Sequence, residues 1–256
     1  KARRDFYVLK PALKEKHITA LLGPRRVGKS VLMAQLINSL LEEKVEPTRI
    51  LFFRLDEPMP DPLGPNLISS VLEAYFKYVI EKEYSDLEGR IYIFLDEVQH
   101  VAKWSETVKS YYDRSGPVKF VISGSSAAGI TRGSAESLAG RIMLHRVMTL
   151  KFVDFLKFRG FTDEFDRECR DMRFKLRDAL TEGSKGRFWQ YLKKFAASMV
   201  RNDAKLETLL LDYLIKGGYI ELADKEDYQY CAKYLYDLVQ LVIYRDIVKV
   251  FGIRSP

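Results

Sequence analysis

The stretch His17-Ile18-Thr19-Ala20-Leu21-Leu22-Gly23-Pro24-Arg25-Arg26-Val27-Gly28-Lys29-Ser30 decides how the chain is read. Its apolar first half, His17 to Leu22, predicts a buried strand, and Val31, Leu32, Gln35, Leu36 and Leu40 just beyond it recur at helical spacing. Between strand and helix lies a full Gly-x-x-x-x-Gly-Lys-Ser loop. In that context backbone N–H groups and the positive end of the helix converge where phosphates sit. Gly28 permits close backbone approach, Lys29 reaches the β and γ phosphates, and Ser30 offers a hydroxyl to Mg²⁺. Gly23, Pro24, Arg25, Arg26, Val27 and Val31 complete the expected phosphate-binding stretch, with ATP or ADP and Mg²⁺ as its ligands. Arg25 and Arg26 sit at variable loop positions, where phosphate, a neighbouring subunit, DNA and plain solvent are alternative partners.

A second element is Ile91-Tyr92-Ile93-Phe94-Leu95-Asp96-Glu97, an apolar strand that ends in two carboxylates. Ligands of open α/β sheets bind at the carboxyl ends of strands, which is where these acids fall. Asp96 is the expected holder of Mg²⁺, and Glu97 is expected to orient and polarise the attacking water. No Asn-Lys-x-Asp motif that would read guanine occurs, so ATP is favoured over GTP. A later apolar run ends in Ser123-Gly124-Ser125-Ser126. Ser125 is the preferred contact for the attacking water or the γ-phosphate; the competing reading is a turn of small residues that touches no ligand.

Working outward, strands are predicted at His17 to Leu22, Ile50 to Leu55, Ile91 to Leu95, Val118 to Ser123 and Arg141 to Leu150, with crossover helices between them. Because one strand intervenes in sequence between the phosphate-loop strand and the acidic strand, a further strand is expected between them in the sheet. Asp56 to Pro65 holds four of the nine prolines and reads as loop. After about Leu150 the sheet pattern fades. Asp166 to Lys194 reads as charged helix with Phe, Leu and Trp189 on one face, Gly217-Gly218 interrupts, and Asp227 to Val248 reads as a long helix whose Tyr228, Tyr230, Tyr234 and Tyr236 suit a core. The expected fold is therefore an α/β P-loop NTPase sheet flanked by helices over residues 1–156, followed by a smaller all-helical lid over 157–256. Trp104 is expected in the core, and His17 and His145 are expected to be structural.

Composition sets limits. Of 256 residues 47% are hydrophobic, ample for a core, and no run approaches the roughly 18 apolar residues of a membrane span. Cys169 and Cys231 are far apart and show no metal-type spacing, which argues against a disulfide scaffold or zinc site. No signal peptide opens the chain, so the expected setting is cytoplasmic, and the end directly after a helix leaves room for a longer parent. Forty-two basic against 35 acidic residues give a net charge of +7, which suits a polyanion such as nucleic acid or nucleotide; a solvated charged surface is the alternative. Only eight residues are Asn or Gln, a scarcity that fits a thermophilic source.

At these motifs the chain resembles a family of prokaryotic, chiefly archaeal, AAA+-type ATPases. Gly-Pro-Arg-Arg-Val-Gly-Lys-Ser, Phe-Leu-Asp-Glu-Val-Gln with Trp104 following, Ser-Gly-Ser-Ser and Ser137-Leu138-Ala139-Gly140-Arg141 stand in the family's order, and Leu150 to Leu156, Gly217-Gly218-Tyr219 and Arg245-Asp246-Ile247 are similar to its later motifs. Ile220 stands where the family has proline, and Asp154 where it has glutamate. The resemblance implies an ATPase core, a helical lid and usually a further carboxyl-terminal domain. It also implies that Arg141 senses the γ-phosphate, with a buried ion pair as the alternative, and that Tyr219 and Ile220 lie beside the adenine, with a plain helix-ending turn that touches no ligand as the alternative. The function so implied couples ATP hydrolysis to conformational change in a DNA-related process, with a homo-oligomer as a candidate assembly. A signalling switch with slow hydrolysis and no DNA contact is the alternative, and a small-molecule kinase the third reading.

Overall fold

A computed structural model describes residues 3–57, 66–114, 116–125, 138–160, 163–199 and 203–247. Ser126, Ser137 and the proline-rich segment from residue 58 to 65 lie outside the described residues. The chain divides into two compact units, Lys1–Met148 with Ile243–Pro256, and Thr149–Val242.

In the first unit five parallel strands form one sheet: β1 (Ile18–Gly23), β2 (Ile50–Arg54), β3 (Ile91–Asp96), β4 (Val118–Ser125) and β5 (Ile142–Arg146), in the order β2-β3-β4-β1-β5. Every residue of β1, β3 and β4 is buried, whereas the edge strands β2 and β5 are partly open. Unbroken apolar runs are what a parallel sheet covered on both faces requires. The helices are α1 (Arg4–Ala12), α2 (Lys29–Glu42), α3 (Leu67–Tyr75) and α4 (Trp104–Asp113). Leu32, Met33, Leu36 and Leu40 form the buried stripe of α2, which contacts β1 and β4. Ile68 and Leu72 of α3 and Val108 of α4 pack with Ile18, Ala20, Ile93 and Phe120 in one core cluster. Trp104 belongs to that cluster, as its apolar indole predicts. The predicted helix from Leu67 to Tyr84 stops earlier: α3 widens into one π turn over Phe76–Ile80 and ends at Glu81 with φ +56°.

The further strand expected between β1 and β3 in the sheet is β4. One sequence expectation is corrected. The last strand is confined to Ile142–Arg146, because from Thr149 the chain belongs to the second unit.

That unit is helical: α5 (Phe152–Phe158), α6 (Asp163–Thr181), α7 (Lys185–Met199), α8 (Asp203–Lys216) and α9 (Tyr228–Leu241). The predicted charged helix from Asp166 to Lys194 is two helices, because Gly183 takes φ +68° and the Ser184 N–H closes back on the Ala179 carbonyl at 2.9 Å. Trp189 and Phe174, expected on one face of that helix, are exposed at 58% and 60%. Of the tyrosine series on α9 only Tyr234 is buried; a two-residue step turns roughly 200° around a helix, so alternate tyrosines cannot share a face. The unit starts at Thr149 rather than after Leu156 because α5 is part of its core. Phe152 and Phe155 pack on the Tyr213 ring, with centroids 5.4 and 5.5 Å away. Asp212, buried in the same unit, accepts from Lys216 at 2.7 Å and from the Tyr228 hydroxyl at 3.2 Å. Among the described residues no helix is long and apolar enough to cross a membrane.

The turn at Gly217-Gly218 has a packing role of its own. Gly218 takes φ +70°, its carbonyl accepts from the Leu150 N–H at 2.8 Å, and a Cβ on it would fall 2.6 Å from the Leu150 carbonyl oxygen. These contacts place the cost of Gly218→Val inside the unit itself. Gly218→Val is expected to destabilise the helical unit by about 2 kcal/mol or more, from positive φ plus the clash. Thermal unfolding without ligand measures this, and a variant as stable as its parent would contradict it.

Candidate functional site

The loop from Gly23 to Ser30 starts at the carboxyl end of β1, where Gly23 is level with Ser125 of β4. Gly23 is dictated by packing: a Cβ there would meet the Val147 carbonyl oxygen at 1.9 Å. Arg26 and Gly28 take positive φ, +61° and +90°. Such left-handed residues among right-handed ones turn backbone N–H groups into an anion-binding concavity. Gly28 is also the N-cap of α2, and among the described residues no side chain caps that end. The first-turn amides and the helix dipole are thus presented at the loop.

Lys29 opens α2 and is only 4% exposed. Its Nζ donates to the Gly23 and Pro24 carbonyls, each at 3.0 Å, and lies 3.6 Å from Glu97 Oε1. Burial pulls its pKa below the ordinary lysine value; the Glu97 and Asp96 charges oppose this shift and the Arg25 charge adds to it. Arg25 is half-buried and Arg26 exposed, while Val31, on the first turn of α2, is 60% exposed.

Asp96 ends β3 and is 1% exposed. Its Oδ2 accepts from the Ser30 hydroxyl at 2.6 Å, and its Oδ1 accepts from the Ser123 hydroxyl. Ser123 Oγ also accepts the Glu97 N–H at 3.0 Å. At Glu97 the backbone turns left-handed, φ +58°, which ends the strand and swings the side chain toward Lys29. Glu97 Oε2 accepts from Gln99 Nε2, which also donates to Ser125 Oγ at 3.0 Å. Flipping the Gln99 amide would set its oxygen against the carboxylate, so this orientation follows from charge. Among the described residues the buried Gln99 Oε1 has no hydrogen-bond partner.

The structure therefore brings together Lys29, Ser30, Asp96, Glu97 and Ser125, drawn from two strand ends and one helix start. Ser123 and Gln99 join them; Ser123 is one of the serines the sequence offers for water or phosphate but not for Asp96, and Gln99 is given no role. Ser123 lies one alternation before Ser125 on β4, and Gln99 follows the acid pair by two residues; each carried only the weak signal of a polar residue beside the motif. Arg141 is corrected. It immediately precedes β5, whose Ile142 pairs with Ile18 at the amino end of β1, and its carbonyl accepts from Ile18 N at 2.8 Å. Its guanidinium pairs with Asp113 at 2.7 and 3.2 Å. Arg141 thus lies at the opposite edge of the sheet from the phosphate loop and does not join this site. Tyr219 and Ile220 begin a 3₁₀ turn in the helical unit, with the Tyr219 ring 6.3 Å from that of Tyr234.

The Ser30 hydroxyl and Asp96 carboxylate are adjacent hard oxygens, a donor set that suits Mg²⁺. Among the described residues no three His, Cys, Asp or Glu side chains gather as a metal cage.

Two uncharacterized proteins of Methanocaldococcus jannaschii are similar to the chain. One is 24% identical over 265 residues, covering 100% of this chain and 50% of the relative, and the other is 25% identical over 243 residues, covering 93% and 43%. An uncharacterized protein of Haemophilus influenzae is 27% identical over 139 residues, covering 54% of this chain and 33% of the relative. The chain thus spans about half the length, or less, of the curated relatives it matches. The solved structure of Drosophila ORC bound to DNA matches with a TM-score of 0.37 at 13% identity, covering 57% of this chain and 90% of that one. A family model described as an AAA domain matches residues 15–156, more than half of the chain and the part that holds both the phosphate loop and the acidic strand. The chain therefore belongs to the AAA domain family of nucleotide-binding ATPases.

Proposed function

We propose that this chain is a Mg²⁺-dependent ATP hydrolase that converts nucleotide state into movement, with nucleic acid as its partner. The observation that carries the reading is the convergence of Lys29, Ser30, Asp96 and Glu97 within one hydrogen-bonded cluster. In it the loop amides and the Lys29 ammonium bind the phosphates, and Ser30 and Asp96 hold the metal. When bound, Mg²⁺ supplies charge neutralisation at the phosphate oxygens. Glu97 orients a water for in-line attack and takes up its proton, with Gln99 and Ser125 fixing the carboxylate. Tyr219 and Ile220 are assigned to the adenine on family resemblance alone. Engagement of Glu97 by both Lys29 and Gln99 favours a second reading, a nucleotide-operated switch whose turnover is slow. Steady-state ATPase rates distinguish the two.

The polyanion partner rests on the net charge of +7 and on α7, which carries Lys185, Arg187, Lys193 and Lys194 and no acidic residue.

Lys29→Ala is expected to weaken ATP binding by roughly 10- to 100-fold, the loss of a charge-assisted contact to phosphate. Unchanged affinity by calorimetry would remove Lys29 from the site. Glu97→Gln is expected to bind ATP as its parent does and to turn over on the order of 100-fold more slowly. Equal turnover would assign the water to another group. If DNA binds through about four cations, its affinity should fall on the order of 100-fold between about 50 and about 200 mM salt, as counterions are released. Fluorescence titrations with single-stranded, duplex and junction DNA test this, and no binding even at the low-salt end would discard the partner.

A further inference from the structure

We propose that Arg3 is a positioning residue of the nucleotide site, setting the Val27–Gly28 peptide of the phosphate loop and tying it to the chain segment Val147–Met148; this rests on the nucleotide-binding reading above. Three observations carry it. The Arg3 guanidinium donates through one terminal nitrogen to the Val27 carbonyl at 2.5 Å and through the other to the Met148 carbonyl at 2.6 Å. The fork is held from behind by Asp5 at 3.1 Å, and Asp5 in turn is bound to His145 Nε2 of β5 at 2.9 Å. Finally, Gly23, Val27 and Val147 meet at one point. Val27 and Val147 are 1% and 0% exposed, and a Cβ on Gly23 would lie 3.3 Å from the Val27 methyl and 1.9 Å from the Val147 carbonyl oxygen. The Val147 N–H also donates to the Leu22 carbonyl at 2.6 Å.

The consequence follows from peptide geometry. In a trans peptide the C=O and the following N–H point in opposite directions within one rigid plane. Holding the Val27 carbonyl toward Arg3 therefore aims the Gly28 N–H the other way, away from Arg3. Gly28, at φ +90°, has no Cβ to resist this orientation, and its amide is one of the loop donors. The second carbonyl that Arg3 holds belongs to the Met148–Thr149 peptide, where the chain passes from the first unit to the second. Lysine cannot substitute fully, because a single ammonium lacks the planar fork that meets two carbonyls at once.

The test is amide hydrogen exchange with and without ATP or ADP, beside nucleotide affinity and unfolding temperature, for the parent, Arg3→Met and Arg3→Lys. In the parent, nucleotide should slow exchange at 28–30 and also at 147–150. Arg3→Met should bind nucleotide about tenfold more weakly and lose the protection at 147–150 while keeping that at 28–30; about tenfold is one charge-assisted hydrogen bond. Arg3→Lys should recover part of the affinity but not the protection at 147–150. If Arg3→Met does not fold, Arg3→Lys decides through the same two readings. A folded variant with parental affinity and parental protection at 147–150 would overturn the proposal. So would a parent that binds ATP with no change at 147–150, an outcome that leaves the site itself standing. A parent that binds no nucleotide overturns the underlying reading, and this inference with it.

Discussion

The carboxylate of Asp96 is the interaction on which the rest of the site depends. It is 1% exposed and, among the described residues, carries no direct ion pair, a situation that is costly unless its oxygens accept hydrogen bonds. Two hydroxyls meet that demand, Ser30 from the start of α2 and Ser123 from β4, one on each carboxylate oxygen. Three separate elements are thereby fastened to one residue at the carboxyl edge of the sheet. Ser123 then accepts the Glu97 N–H and helps fix the left-handed turn that brings Glu97 within 3.6 Å of Lys29. Removing one hydroxyl would leave a buried charge short of a donor, which typically costs about 1–3 kcal/mol or more.

What the sequence could and could not show follows the range of each physical signal. A glycine-bounded loop between an apolar strand and an amphipathic helix is a local pattern, so Gly23 to Ser30 could be placed in the site from the residues alone. The same holds for Asp96 and Glu97, because apolar residues followed by two acids fix which end of a parallel strand they occupy. Strand order is not local. β4 lies beside β1 through pairings about 100 positions apart in the chain, such as Thr19 with Val121, and no short window records that. The Ser123–Asp96 and Gln99–Ser125 contacts are consequences of the same order and were hidden for the same reason. Arg141 shows the reverse error: its motif context suggested phosphate, but its place before β5 puts it at the amino edge, where Asp113 satisfies its charge.

Glycine positions divide in the same way. Gly28 was legible, since a helix start that binds phosphate needs close backbone approach and φ is +90° there. Gly23 and Gly218 were legible as turn residues but not for what crowds them. In both, a backbone carbonyl occupies the space of a Cβ: Val147 for Gly23 and Leu150 for Gly218. Each glycine is therefore a joint between distant parts of its own unit, and its identity is fixed by the partner's main chain.

Lys29 and Glu97 are bound to each other's state. Burial depresses the lysine's pKa, and the nearby carboxylates of Glu97 and Asp96 work against that. Phosphate oxygens at the loop would supply the same counter-charge more strongly, each bearing formal negative charge and reaching the same amine. On the proposed reading, binding therefore displaces Glu97 from Lys29 and leaves its carboxylate to Gln99 and to water. The group that binds substrate and the group that activates water then cannot both be fully engaged with each other while the reaction proceeds. Ground-state attraction between Lys29 and Glu97 is thus exchanged for interactions that develop with the phosphate, the direction in which binding energy has to be used for a site to accelerate a reaction.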